Sequence, residues 1–229
     1  MIKAAVFDLW DTLVPSHVDM HHLRELTKHS GVEMGEYVTR YERAVQLKKY
    51  TTFEELRSDF LKEFGPITND KTVLEEELIE VYSARMDEID FFPEVRETLK
   101  QLRAEGLKLA LLSNTESLNF GAIEKKLGLA ELFDVVAPSF VVGTTKPNPE
   151  AFHFVLKKLK IEPREAIMVG DSRRADVGGA NAAGMHSCLI NRSQKKMVIS
   201  TAEPEFSIHS LTELIEVINL VQEKEKGKK

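Results

Sequence analysis

A single cysteine, Cys188, occurs among the 229 residues. No disulfide can close within the chain, and a reducing compartment fits. In the apolar run Ser187-Cys188-Leu189-Ile190 the thiol reads as a small core residue, not a nucleophile. Long apolar runs are also lacking. The stretch from Met1 to Phe7 meets Asp8 at once, too soon for a signal peptide or a membrane span. A cytoplasmic protein with no membrane partner is expected. Positive charge is not in excess: 31 Lys and Arg face 37 Asp and Glu, for a net charge of −6. A nucleic-acid partner, which needs a basic surface, is not expected. A small anionic substrate remains compatible, because one local pocket of positive charge can hold it. The expected assembly is a monomer or a homodimer. Neither an internal repeat nor a low-complexity linker is present.

What the chain does have is enough apolar content, 42% against 30% charged, to bury a core. Short β-rich apolar runs recur at 2–7, 107–112, 134–137, 166–169 and 187–190. Helical patterns separate the later ones, at 94–104, 118–128, 149–159 and 174–183. Strands alternating with helices predict an α/β fold, a doubly wound, Rossmann-like parallel sheet with helices on both faces. Residues 205–209 read as an edge strand, 210–223 as a closing helix and 223–229 as a frayed charged tail. Residues 15–89 differ, with helical patterns at 18–29, 33–48, 52–64 and 71–88 and no convincing strand. Thr51-Thr52-Phe53-Glu54-Glu55 has the form of a capping box. The expected division is an α/β core of 1–14 and 90–229, with 15–89 as a helical insertion.

In open parallel sheets ligands bind beyond the carboxyl ends of the strands. Four such ends carry chemistry here. Asp8 follows the first strand and reads as a nucleophile, a metal ligand or a turn residue. Ser113-Asn114 offers a hydroxyl and backbone N–H groups to an anion, or is ordinary turn chemistry. Lys146, stiffened by Pro147 and Pro149, is placed to neutralise a phosphate and a carboxylate, unless it is a surface lysine. Asp171 and Asp176, in Gly-Asp-Ser and the turn after it, suit a hard cation such as Mg²⁺, or helix capping.

The four segments AVFDLWDTL, LLSNTE, TTKPNPEAF and VGDSRRADVGGANAAGM together resemble the four motifs of the haloacid dehalogenase-like hydrolase superfamily. The resemblance runs from residue 2 to about 192, and the insertion at 15–89 resembles that superfamily's small helical cap. It implies Asp8 as the nucleophile of a covalent aspartyl intermediate, with Lys146 orienting it. Ser113 and the backbone N–H of Asn114 hold the transferring group. Asp8, the backbone carbonyl of Trp10 and Asp171 ligate Mg²⁺, with Asp176 orienting ligand waters.

One position departs from the pattern. Phosphatases of the superfamily carry an acid two residues after the nucleophile, where this chain has Trp10, and an indole N–H is no useful acid. Asp11 is expected to fill a turn and bond to backbone. Trp10 has three readings: a phosphatase for leaving groups that need no proton, a 2-haloacid dehalogenase-like hydrolase, or a catalytically weak binding member of the fold. The Asp171–Asp176 pair favours the first. From the insertion, a residue near 15–22 or 46–52 is expected to reach the site, among them His17, His21, His22, Lys48, Lys49 and Tyr50. Arg173 and Arg174 are expected to pair with surface acids.

Overall fold

The computed structural model describes residues 1–16, 27, 32–65, 71–83, 86–192 and 202–226. The expected helix at 18–29, the punctuating Pro66 and Asn69-Asp70, and His17, His21 and His22 lie outside them. Six strands form one sheet: β1 (Ala4–Phe7), β2 (Lys108–Ser113), β3 (Val135–Pro138), β4 (Ala166–Gly170), β5 (His186–Ile190) and β6 (Phe206–Ile208). Their order is β3-β2-β1-β4-β5-β6, and every pairing is parallel. The order reverses between β1 and β4, which opens a crevice at their carboxyl ends.

Alternation along each strand divides the core in two. Ala5, Phe7, Leu109, Leu111, Ile167 and Val169 face one side; Ala4, Val6, Ala110, Leu112, Ala166 and Met168 face the other. The first face is covered by α4 (Val95–Ala104), α5 (Phe120–Leu127) and α10 (Leu214–Lys226), through Leu99, Ile123 and Ile218 among others. After two single-turn helices, α6 (Leu129–Leu132) and α7 (Ser139–Val142), the second is covered by α8 (Pro149–Leu159) and the short α9 (Gly179–Ala182). Asn148 caps α8 by accepting from Glu150 N, and Pro149 sits in its first turn. Gly179 lets α9 approach α8: a Cβ there would stand 2.3 Å from the Phe152 ring. The closing helix runs on to Lys226, so the charged tail is helical through that residue and not frayed from 223.

Between β1 and β2 the chain forms α1 (Met34–Tyr41), α2 (Phe53–Phe64) and α3 (Lys71–Ser83). They pack around their own cluster of Tyr37, Tyr41, Val45, Leu56, Phe60, Phe64, Leu78 and Tyr82. Thr52 caps α2 by accepting from Glu55 N, while the Glu55 carboxylate returns to Thr51. The expected helix 33–48 is not uniform. It widens at Glu42–Gln46 into a π-helical turn, a distortion often found where helices meet functional sites.

This insertion touches the core through the loops at the carboxyl ends of the strands. Tyr50 N donates to Ser117 Oγ at 2.7 Å, Ser139 Oγ to the Gln46 carbonyl at 2.7 Å, and Asn119 Nδ2 to the Tyr82 carbonyl at 2.8 Å. The crossing points are tied together: Phe92 N donates to Leu13 O, and Arg192 bonds Thr12 O, pairs with Glu94 and stacks on Phe92.

Glu116 lies buried at this seam, accepting from the amides of Leu118 and Asn119. Burial pushes its carboxyl up from 4.5 to about 7, against the pull of those amides. A carboxyl that binds its proton more tightly when folded loses stability for the fold as pH rises through that window. Glu116→Gln keeps an acceptor and removes the charge. Chemical denaturation is expected to find the variant equal to the parent near pH 4, below the unfolded carboxyl's pKa, and more stable at pH 8, by up to about 3 kcal/mol. Equal stability at both values would contradict the assignment.

Candidate active site

The site is built where the sheet order reverses. β1 and β4 run in register, Phe7 beside Val169, and Asp8 N donates to Val169 O at 2.9 Å. Asp8 therefore emerges beside the Gly170-Asp171 end of β4. Lys146 arrives from the loop before α8 and is 1% exposed, so its ammonium survives only by pairing. Its Nζ lies 2.6 Å from Asp8 Oδ1 and 2.6 Å from Asp176 Oδ1. Burial pulls the lysine's pKa down, but Asp176 and Asp8 outweigh it and hold it above its usual value.

Asp176 has both oxygens committed, because its Oδ2 accepts from Ser172 N at 2.9 Å. Ser172 in turn caps the following π-helical turn, Arg173–Gly178, by accepting from Ala175 N. Gly170 makes room for this: a Cβ there would stand 2.2 Å from the Asp176 carboxylate. Asp171 keeps contact with solvent at the mouth of the crevice. Burial pushes Asp8's carboxyl up despite Lys146, and Asp171's goes up through lost solvation with Asp8, Asp176 and Asp11 adding to it.

Oxygens of Asp8, Asp171 and Asp176 all lie within 4.8 Å of one another. Three carboxylates thus face one ammonium, and every donor is a hard oxygen. That set fits a divalent hard cation such as Mg²⁺. With Asp176 doubly bonded, Asp8 and Asp171 are the carboxylates best placed to touch it.

Ser113 ends β2, and its Oγ is buried with no hydrogen-bond partner among the described residues. Asn114 does something the sequence reading missed. Its side chain grips the backbone of Lys146 in both directions, Nδ2 to Lys146 O at 2.9 Å and Oδ1 from Lys146 N at 2.8 Å. The helix expected at 118–128 runs Phe120–Leu127, and Thr115 N is occupied by Ser139 Oγ. The Ser113-Asn114 segment is therefore a loop and not a helix terminus.

The Trp10 indole Nε1 donates to Thr115 Oγ1 at 3.3 Å. Asp11 fills the turn as expected, with a left-handed φ of 54° and its carboxylate accepting from Ser16 N at 2.9 Å. Of the insertion residues singled out from sequence, Lys48 pairs with Asp59 at 2.5 Å, and Tyr50 OH donates to Ala44 O and bonds Asp59. Lys49 is exposed. Among the described residues, Glu42 and Gln46 hydrogen-bond the strand-end loops through their side chains; Gln46 opens the expected stretch 46–52, and Glu42 lies outside it. Glu42 takes Arg174 at 2.6 Å and Thr145 Oγ1 at 3.1 Å, and Gln46 Nε2 reaches Asn114 O at 3.4 Å. Arg173 pairs with the exposed Glu203, but Arg174's acid is a buried one, not a surface one.

A model of the haloacid dehalogenase-like hydrolases matches residues 2–184, so the chain belongs to that family and is a hydrolase. The chain is 28% identical to a glyceraldehyde 3-phosphate phosphatase of Methanopyrus kandleri, over 95% of this chain and 97% of that one. It is 32% identical to a ribulose-1,5-bisphosphate 5-phosphatase of Halopiger xanaduensis, over 60% of this chain and only 61% of that protein's length. Among solved structures, a HAD phosphatase from Thermococcus onnurineus matches with a TM-score of 0.63 and 27% identity, covering 95% of this chain and 98% of that one. A 2-haloacid dehalogenase from Pseudomonas syringae pv. Tomato shares the fold at a TM-score of 0.65 and 24% identity, covering 96% and 99%. No helix among the described residues is long and apolar enough to cross a membrane.

The close fit of Gly170 against Asp176 makes a prediction. Gly170→Ala is expected to destabilise the fold by about 1–3 kcal/mol. Gly121→Ala in α5, where nothing lies within 4 Å of the added Cβ, is expected to be neutral or stabilising. Urea unfolding of the two variants checks the contrast.

Proposed function

We propose that this chain is a Mg²⁺-dependent phosphatase that hydrolyses a small phosphorylated metabolite through an aspartyl-phosphate on Asp8. The observation that carries the reading is the Lys146 ammonium 2.6 Å from both Asp8 and Asp176, with Asp171 in the same cluster. A nucleophile, a fixed cation and a surplus of hard oxygen donors then share one crevice. In this reading an Asp8 oxygen bonds to phosphorus as the bond to the leaving oxygen breaks. Water then attacks phosphorus, the Asp8–phosphorus bond breaks, and inorganic phosphate leaves.

Ser113 Oγ and the Asn114 backbone N–H hold the transferring group, and Lys146 offsets charge on that group and on Asp8. Asp8, the Trp10 backbone carbonyl and Asp171 would hold Mg²⁺, with Asp176 orienting its waters. When bound, the cation stabilises charge on the phosphoryl oxygens and relieves repulsion between Asp8 and Asp171. Residues 15–89 act as the cap that sets which substrate fits, over a core of 1–14 and 90–229.

Trp10 shapes the choice of leaving group. Its N–H is engaged by Thr115 and Asp11's carboxylate by Ser16 N, so neither supplies a proton to a departing alkoxide. Acyl and aryl phosphates, whose leaving groups are stable anions, are the favoured substrates. Halide also leaves unprotonated, and an aromatic at this position together with the dehalogenase-like fold favours 2-haloacid hydrolysis as the second reading. It ranks lower, because that chemistry runs without a metal, and with no cation to offset them the three clustered carboxylates would repel the haloacid's own.

An aryl phosphate with Mg²⁺ is expected to release phosphate, and EDTA to stop it. Asp8→Asn is expected to lower the rate by about 10³-fold or more without unfolding the chain. Metal-independent release of halide from a short haloacid, with no phosphate release, would instead establish the second reading. Rates across a series of phosphates are expected to fall steeply as the leaving group becomes more basic. Trp10→Asp is expected to flatten that dependence and raise alkyl phosphate turnover by about 10²-fold; an unchanged slope would contradict the role given to Trp10.

A further inference from the structure

Glu42 is an unusual residue for its position. It comes from the π-helical turn of the insertion, yet its carboxylate is buried against two core loops. Oε1 pairs with Arg174 at 2.6 Å, and Oε2 accepts from Thr145 Oγ1 at 3.1 Å. Thr145 is the neighbour of Lys146, and Arg174 lies three residues after Asp171. The pair therefore spans the seam between insertion and core, beside the proposed phosphate site.

A guanidinium is the side chain best suited to grip a second carboxylate or phosphate with two parallel bonds. Arg174 keeps 39% of its side chain exposed and stands on the strand-end loop where such a group would arrive. It is nevertheless committed. Drawing it away would leave Glu42, only 12% exposed in its side chain, as an uncompensated charge. The neighbouring cations are also engaged: Lys146 with Asp8 and Asp176, and Arg173 with Glu203 and the Ala202 carbonyl.

We infer that the Glu42–Arg174 pair sets the substrate's charge class, by neutralising the arginine that would otherwise recruit a second anion. The site then takes phosphate esters whose remainder is uncharged in preference to those carrying a further carboxylate or phosphate. This rests on the phosphatase reading above and deepens it.

The test uses two probes differing by one charge, para-carboxyphenyl phosphate and its methyl ester, assayed with Mg²⁺ on the full chain. The parent is expected to favour the ester in kcat/KM. Glu42→Gln frees Arg174 and is expected to raise the carboxylate-to-ester ratio about tenfold, mostly through KM. Arg174→Gln leaves Glu42 unopposed and is expected to lower the same ratio about tenfold. Opposite signs are the signature, because a pair that merely holds the seam together would lower both substrates alike in both variants. A ratio that stays fixed, or moves in one direction in both variants, while the ester is still hydrolysed overturns the inference and leaves the phosphatase reading standing. No phosphate release from the ester by the parent overturns both.

Discussion

The Lys146 ammonium is the constraint on which the rest of the site depends. It sits in protein with 1% exposure, and a lone charge there would be strongly destabilising. Two carboxylates at 2.6 Å make it tolerable. In turn its positive charge offsets the repulsion between the Asp8 and Asp176 carboxylates it bridges. Each surrounding feature serves that arrangement. Asn114 fixes the lysine's backbone at both its amide and its carbonyl. Gly170 leaves space for the Asp176 carboxylate, and Ser172 N–H holds that carboxylate's second oxygen. The fold supplies the meeting point, since the reversal of strand order between β1 and β4 opens the crevice into which Asp8 and Asp171 emerge.

Much of this was legible in the sequence, for identifiable reasons. The inner strands β1, β2, β4 and β5, buried on both faces, have a short, mainly apolar signature and were located to within about two residues. Asp8, Ser113, Asp171 and Lys146 could be picked out because each follows or precedes an element whose end was visible. Asp11 was expected in a turn, and its left-handed φ of 54° places it in one. What escaped was non-local. The grip of Asn114 on Lys146 joins residues 32 apart, and the Glu42–Arg174 pair joins residues 132 apart. A helical periodicity carries no mark of a π-helical turn, so the insertion's contact with the core was sought in 15–22 and 46–52 and not at Glu42. The side chains of Lys48 and Tyr50 instead fasten the insertion to itself around Asp59, although Tyr50 N also bonds Ser117.

On the proposed function, the insertion and Trp10 divide the determinants of specificity between them. The core motifs would decide which bond is attacked. Trp10, tied to Thr115, would bear on how basic a leaving group can depart. Glu42 and Gln46, whose side chains hydrogen-bond the strand-end loops, would bear on what the remainder of the substrate carries. A chain can therefore keep the family's nucleophile and lysine while differing from other members in both respects.

The central claim is that Asp8 becomes covalently phosphorylated during turnover. Acid quenching during hydrolysis of an aryl phosphate with Mg²⁺, followed by peptide mass spectrometry, tests it most directly. A phosphoryl group on the peptide containing Asp8, absent from the Asp8→Asn variant, is the predicted result. Steady phosphate release with Asp8 unmodified at every quench time, or release undiminished in Asp8→Asn, would contradict it.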